Sequence, residues 1–360
     1  MRRKLLALVA LVVGGWLAFG GWTLARRAPR LASPPGELRG AWHVHTTRSD
    51  GLGSLDEVVR AAKVAGLGFV VLADHNALFR SDAGYRDGVL VLLATEISSD
   101  FGHVVALGLP EAPGAAERAD PLGRTKAAGG QAVLAHPFHP RRPFTGWGRG
   151  EWRGFETSSN DSFWYQLLHE RALGRLLPAL LALPFDPAQS VLWISRFPAE
   201  ELSRFDAEVA TARSAGRVPP VLLCAADAHG YPSYRAAFEA FSMHLPVTLT
   251  GDAPADTSTV VAALLDGRGV CVYDGVAPAS AVRVAVATGG GIEVSLDTPR
   301  LKSVRLRLLR DGREVEVREL PPFGPGRVRF CPAGCGSGVY RVEGTWDGRP
   351  WIFTNPVTIE

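Results

Sequence analysis

Cysteine is scarce in this chain, and charge of either sign is nearly balanced. Its 360 residues hold 4 cysteines, and 39 Lys and Arg against 36 Asp and Glu leave a net charge of +3. Four cysteines are too few for a disulfide-dense scaffold, and they lack the paired Cys-x-x-Cys spacing of a structural zinc module. So small a net charge is no footprint for nucleic acid. There is no Walker loop, dinucleotide fingerprint or Ser-His-Asp order, and neither a repeat nor a low-complexity tract. What is present, 46% hydrophobic and 21% charged residues, is an ordinary globular composition that excludes wholesale disorder. The length suggests two folded units.

A single long hydrophobic run stands apart. Leu5 to Ala25 carries no charge, with Arg2, Arg3 and Lys4 before it and Arg26, Arg27 and Arg30 after it. At about 1.5 Å per residue the run spans roughly 30 Å as a helix, the thickness of a hydrocarbon core. Residues 1–30 therefore read as a single-pass anchor, with the rest of the chain outside the cytoplasm, periplasmic or at the cell surface. A cleaved signal peptide and a secreted product are the alternative. Basic residues flank both sides, so the positive-inside rule barely decides orientation. Cys331 and Cys335 could close a small disulfide loop suited to an oxidising compartment. Cys224, in an apolar run, reads as plain core.

Residues 31–37 read as a proline-containing linker, and strand-like and helix-like segments alternate after it. Ala41–His45 ends a strand. Ser54 caps a helix reaching Gly66, with Glu57 completing a capping box. Gly68–Ala73, Val89–Ala94, Val104–Leu107, Ala132–Ala135 and Val221–Ala226 are continuous apolar runs, as strands covered on both faces require. This grammar predicts an α/β barrel or doubly wound sheet over 38–279. Asp161–Pro184 reads as a buried helix pair. Residues 280–360 switch to alternating strands with hairpin turns at Asp311-Gly312 and Asp347-Gly348, which predicts a small all-β sandwich.

The chemistry sits where the histidines fall. His43, His45, His75, His136 and His229 lie at carboxyl ends of predicted strands, and His103 opens one. Asp50, Asp74, Glu96 and Asp227 fall in the same places. In a β/α barrel the carboxyl rim is where loops carrying catalytic residues converge. His43 and His45 are two apart, so a strand points both to one face, and Asp227-Ala228-His229 repeats the spacing. Imidazoles and carboxylates delivered from several rigid strands suit divalent ions.

His43-Val-His45-Thr-Thr-Arg-Ser49-Asp50-Gly51 resembles the HxHxxxSDG motif of the PHP (polymerase and histidinol phosphatase) superfamily. Ala73-Asp74-His75-Asn76 resembles its TDHN motif, with Ala for Thr. Glu96, Ala135-His136-Pro137 and Asp227-Ala228-His229 resemble later motifs in the expected order. The resemblance covers roughly 38–275. The segment Gly348–Pro356 is similar to the tail of an extracytoplasmic branch that includes carbamate-ester hydrolases. The resemblance implies a distorted (β/α)7 barrel with two or three divalent ions, Mn, Zn or Fe. His43, His45, Glu96 and Asp227 would hold the first ion. Asp50, His75 and His229 would hold the second, with Glu96 bridging. His103 and His136 would complete a third, and Glu96, Asp227 and His229 would act in catalysis. Asp74 would orient a neighbouring ligand.

A hydroxide bridging two such ions can attack a phosphoester, the leading expectation, with a phosphodiester or small phosphorylated metabolite as substrate. A carboxylic or carbamic ester is the alternative, and a non-catalytic metal-binding envelope protein is a third reading. Arg141 and Arg142 could contact a phosphate. His139 could donate a proton to the leaving group, although a surface loop histidine is the plainer reading. His169 and His244 have no evident partner, and Trp147, Trp152 and Trp164 read first as packing.

Overall fold

A computed structural model describes residues 2–29, 32–298, 304–320 and 326–360; Arg30 and the first linker residue, Leu31, lie outside the described residues. The chain opens with α1 (Arg2–Ala25), a helix long and apolar enough to be a membrane span or a signal sequence.

Seven strands then close into a barrel. They are β1 (Leu38–Val44), β2 (Phe69–Leu72), β4 (Val89–Ser99), β5 (Gly102–Leu107), β6 (Gln131–Leu134), β7 (Gly154–Ser159) and β8 (Val221–Ala228), with β8 pairing back onto β1. A short strand, β3 (Gly84–Arg86), flanks β4. Neighbours are parallel except that β5 runs against both β4 and β6. This reversal explains His103: the amino end of an antiparallel strand lies at the same rim as the carboxyl ends of the others. The predicted apolar runs all became strands. β7 did not look like one, because its sequence Gly-Phe-Glu-Thr-Ser-Ser is mostly polar, yet all six residues are buried.

Helices cover the barrel. Ser54 caps α2 (Leu55–Ala65) in a reciprocal capping box with Glu57, and Gly66 ends the helix in the left-handed conformation. Such a cap contributes about 1 kcal/mol. There follow α3 (Ala115–Ala119), α4 (Pro121–Ala127), α5 (Asn160–His169), α6 (Leu173–Ala182), α7 (Pro187–Ile194), α8 (Ala199–Ser214), α9 (Tyr234–Ala240) and α10 (Ala253–Leu265). The expected buried helix pair exists as α5 and α6, with a correction. The second helix buries Leu176, Ala179 and Ala182 and leaves Leu173, Leu177 and Leu180 at 70%, 56% and 51% exposure.

Beyond the barrel, β9 (Ser242–Leu245) pairs antiparallel with the start of β1, and β10 (Val270–Val272) pairs with β9. Two sheets follow, as expected for the tail. One holds β11 (Ser280–Val286), β12 (Ile292–Asp297) and β15 (Gly326–Phe330). The other holds β13 (Val304–Arg310), β14 (Arg313–Leu320), β16 (Gly338–Trp346), β17 (Arg349–Thr354) and β18 (Val357–Ile359). Ile292, Val294, Leu306, Leu308, Val342 and Trp351 share their common core. Hydrogen bonding nevertheless crosses the expected boundary at 279/280, because β17 pairs with β10 and the larger sheet runs on into the barrel.

Cys224 is not plain core: it is disulfide-bonded to Cys271, tying β8 to β10. Cys331 and Cys335 form the expected small loop, so all four cysteines are paired. The Gly348–Pro356 segment is structural. Asn355 accepts from the Leu222 amide at 2.6 Å and donates to the Leu222 and Gly269 carbonyls, while the Trp351 indole donates to the Ala277 carbonyl.

Candidate metal centre

Nine predicted ligands meet at one rim of the barrel. The imidazole Nε2 atoms of His43 and His45 lie 3.0 Å apart. Glu96 Oε2 is 3.2 Å from the first and 3.3 Å from the second, and Asp227 Oδ1 is 3.7 and 3.5 Å from them. Donors held at about 2.1 Å from a tetrahedral ion stand about 3.4 Å from one another, so the trio of His43, His45 and Glu96 is spaced for a cation at its centre, with Asp227 beside the two imidazoles. Asp50 gathers a second group, with its carboxylate 3.3 Å from His45 Nδ1 and 3.5 Å from both His75 Nε2 and His229 Nε2. The other Glu96 oxygen, Oε1, lies 2.7 Å from His103 Nδ1 and 2.8 Å from His136 Nε2. Glu96 thus stands between all three groups.

The two-residue spacing works differently from a plain pleat. His43 has φ 66°, Asp227 φ 43° and His136 φ 26°, all in the left-handed region, and the β1–β2 and β1–β8 registers slip beside His43. A bulged backbone, not simple alternation, aims these side chains. Each such residue costs roughly 1–3 kcal/mol, and strain of this kind concentrates at functional sites. Two glycines serve the same end. A Cβ on Gly51 would lie 2.5 Å from the His45 carbonyl, and Gly102, at φ 118°, would strike Phe144.

Sequence reasoning missed Glu156. On β7 it lies wholly buried behind the site, where Oε1 accepts from His43 Nδ1 at 2.8 Å and from the Trp42 indole at 2.6 Å. Its other oxygen accepts from the His136 amide at 2.7 Å. A carboxylate on Nδ1 fixes the tautomer in which Nε2 offers a lone pair to the site. The Asp227 carbonyl does the same for His229, accepting from Nδ1 at 3.0 Å, and Ser159 donates to Asp227 Oδ2 at 2.9 Å. The only signal for Glu156 was an acid inside a polar stretch too short to read as buried. Asp74 acts on a loop instead of a ring. It accepts from the Thr46 amide and hydroxyl and from the Ser49 hydroxyl, pinning the turn that carries Asp50.

The electrostatics describe a site short of positive charge. Burial alone would push the His43 imidazolium down, but Glu156, Glu96 and Asp227 outweigh it and hold its pKa well above the ordinary value. His136 and His229 are pushed up to about 9 against their burial, by Glu96 and Asp50 respectively. Glu96 and Asp227 sit well below the carboxylate range despite burial, held there chiefly by the charge of His43. Burial wins at His103, whose pKa falls. Carboxylates this deep must be paired with protons or with other cations. His136 Nδ1 is also buried without a hydrogen-bond partner. Mixed nitrogen and oxygen donors, fixed tautomers and the close grouping of His43, His45 and Glu96, and of His45, Asp50, His75 and His229, together fit divalent ions.

The centre floors a cavity of about 640 Å³ whose wall includes Arg141, Arg142 and His139. Arg142 donates to His103 Nε2 at 3.3 Å, and the Arg141 guanidinium lies over the Tyr165 ring at 4.1 Å. His139 is not a surface histidine, being 5% exposed and 3.1 Å from Asp161. His244 also needs correction. It lies buried in β9 with partners, 3.1 Å from Asp274 and 3.4 Å from Glu37. His169 is exposed at the end of α5. Trp147 and Trp152 pack on Phe155, whereas Trp164 lines a second, smaller slot.

No protein-family model matches the chain, and no curated protein matches it. Among solved structures, it is similar to a two-domain protein from Bacteroides vulgatus described as containing a predicted PHP-like metal-dependent phosphoesterase. Identity is 14%, with a TM-score of 0.42, over 92% of this chain and 99% of that one. An amidohydrolase from Chromobacterium violaceum, with bound sulfate and no metal, is 18% identical with a TM-score of 0.27, over 38% of this chain and 84% of the other. Overlaps this loose carry no argument for activity, and the site stands on its own geometry.

Proposed function

We propose that the protein is a metal-dependent hydrolase of phosphoesters, working outside the cytoplasm. The observation that carries this reading is the convergence of His43 Nε2, His45 Nε2 and Glu96 Oε2, flanked by Asp227 Oδ1, beneath a cavity walled by Arg141 and Arg142. His43, His45, Glu96 and Asp227 would hold one ion, Asp50, His75 and His229 a second, and His103 and His136 a third with Glu96. Mn, Zn and Fe all suit such donors. Divalent ions held there would bring the pKa of water near neutrality and offset charge on phosphoryl oxygens.

The chain's own groups do the rest. Glu156 and the Asp227 carbonyl keep imidazole lone pairs aimed inward, and Ser159 and Asp74 fix the acids and their loop. Arg142 and Arg141 supply donors for the non-reacting phosphate oxygens, chemistry a carbonyl ester would leave unused. His139 is held at both ring nitrogens, with Nε2 3.1 Å from Asp161 and Nδ1 accepting from the Arg141 amide at 3.1 Å. It thus fixes the loop that carries the two arginines, and the attacking water supplies the proton for the departing oxygen. Water adds across the phosphorus–oxygen bond, giving an alcohol and a phosphate with one fewer ester link.

Four paired cysteines and the apolar α1 support an extracytoplasmic setting, anchored through that helix. The test is elemental analysis of the full chain, then turnover of bis-aryl phosphate, aryl phosphate and aryl carbamate with Mn²⁺ or Zn²⁺. Two or three ions and preference for a phosphate ester are expected. A metal-free protein, or one that cleaves the carbamate alone, would overturn the reading.

A further inference from the structure

The first helix does not stand clear of the globular part; its second half leans on α6. The Trp16 indole donates to the Leu181 carbonyl at 3.2 Å, its ring meets Phe185 edge-on at 5.0 Å, and Gly20 lets that phenyl approach. Farther along, Trp22 lies 6.4 Å from Trp193, with Arg26 over the Trp22 ring and Arg349 over Trp193. Arg27 is paired with Asp186 and Glu239.

These contacts set depth. Tryptophan and arginine together mark the headgroup level of a bilayer. Trp16 is six residues earlier than Trp22, so it sits roughly 9 Å deeper. The apolar residues ahead of it, Leu5 to Gly15, supply only about 16 Å of a hydrocarbon core near 30 Å. A span therefore needs the turns from Trp16 onward, and α6 goes into the outer leaflet with them. That is where α6 exposes Leu173, Leu177, Leu180 and Leu181, an apolar face otherwise costly in water.

Leu180 belongs to two surfaces at once. Half exposed on this face, it also lines a slot of about 110 Å³ with Trp164, Leu183, Val191 and Ile194. Asp161, Asp227 and His229 line both this slot and the metal cavity. The slot beside α6 and the metal cavity thus share a wall.

We propose that the substrate is a membrane amphiphile, a phosphoester whose alkyl chain enters from the outer leaflet past Leu180 and lies in this slot while its phosphate faces the metal centre. The proposal rests on the hydrolase reading above and supplies its substrate class.

Two measurements on the full chain test it. With every native cysteine paired, Leu177→Cys can carry a single fluorophore. In nanodiscs whose lipids bear bromine on the acyl chain, it should be quenched. A fluorophore on Val218→Cys, exposed before β8 at the opposite end of the barrel, should not be. An unquenched label at 177 overturns the immersion of α6. In amphipol with Mn²⁺, ethyl, butyl and hexyl phosphate should bind with affinity rising about fourfold per methylene, by calorimetry. Affinity independent of chain length overturns the slot, and leaves the hydrolase standing if bis-aryl phosphate is still cleaved. A steep chain-length dependence without hydrolysis of any ester supports the slot and sinks the hydrolase.

Discussion

Two clusters of histidine and carboxylate are buried in this molecule, and they are built on different terms. At the junction of linker, β9 and β10, His244 stands between Glu37 and Asp274, and Arg39 and Arg283 pair with the same Glu37. Guanidinium ions supply the positive charge there. At the barrel rim, Glu96, Asp227, Asp50 and Glu156 face six imidazoles, and Arg142 hydrogen-bonds to one of them from the cavity side. Three of the rim residues hold left-handed backbone, while none of the junction residues does. The junction touches only a smaller cavity, through Arg39 and Asp274, and is neutralised by the chain itself; the rim is strained, opens on the larger cavity and relies on charge from outside. Burial and pairing therefore do not distinguish a binding site from a structural one. The source of the compensating charge does.

The sharpest way to break this comparison is to delete one histidine from each cluster. His45→Ala should lower bound metal by at least one ion and reduce turnover of bis-aryl phosphate more than a thousandfold, an effect of over about 4 kcal/mol, with the melting temperature of the metal-free chain little changed. His244→Ala should leave metal content alone and destabilise folding by about 1–3 kcal/mol, because it takes one buried partner from Glu37 and Asp274 while Arg39, Arg283 and Ser242 remain. Elemental analysis and denaturant unfolding read both. A smaller effect is expected at Glu156. Glu156→Gln preserves shape but weakens its hold on the His43 ring, so metal affinity should fall about 10–100-fold with the fold intact. Unchanged affinity would reduce Glu156 to a packing group.

The mildest contrast is with pH. Burial opposes charge on His244, but Asp274 and Glu37 outweigh it and raise its pKa above 6.5, while His244, Arg39 and Arg283 together lower that of Glu37 below 4.5. A raised histidine stabilises fully below its unfolded value and loses that contribution as pH climbs through its folded one. A lowered carboxylate stabilises above its unfolded value and loses it on acidification. Both act fully between about 4.5 and 6.5. The stability penalty of His244→Gln should therefore be largest near pH 5.5 and shrink at pH 9.5, by urea unfolding. An equal penalty at both would show that His244 packs without charge.

Much of this was legible beforehand, for physical reasons. Strands covered on both faces must be apolar throughout, so β2, β4, β5, β6 and β8 announce themselves. Ser54 and Glu57 mark the start of α2, because orphan amides need those side chains. Histidines at strand ends mark the rim. The rest depended on tertiary placement. β7 is polar because it forms the back wall of the site, so its signal resembled a loop and hid Glu156. Cys224 and Cys271 are separated by 47 positions and meet only once β9 and β10 have been laid beside the barrel. His244 lacks partners in sequence because Glu37 and Asp274 come from either side of it along the chain. The exposed leucines of α6 read as core, since apolar periodicity cannot say whether the rest of the chain covers a face or leaves it bare.

The shared sheet means that the chain cannot be divided at its apparent seam. Severing it after residue 279 would strip β17 from β10 and bare a row of amides and carbonyls on a strand soldered to β8 through sulfur, an invitation to edge-to-edge clumping. The terminal eighty residues thus serve as a buttress for the wall from which His43 and His45 project, and shortened versions of the protein will report on a damaged edge before they report on chemistry.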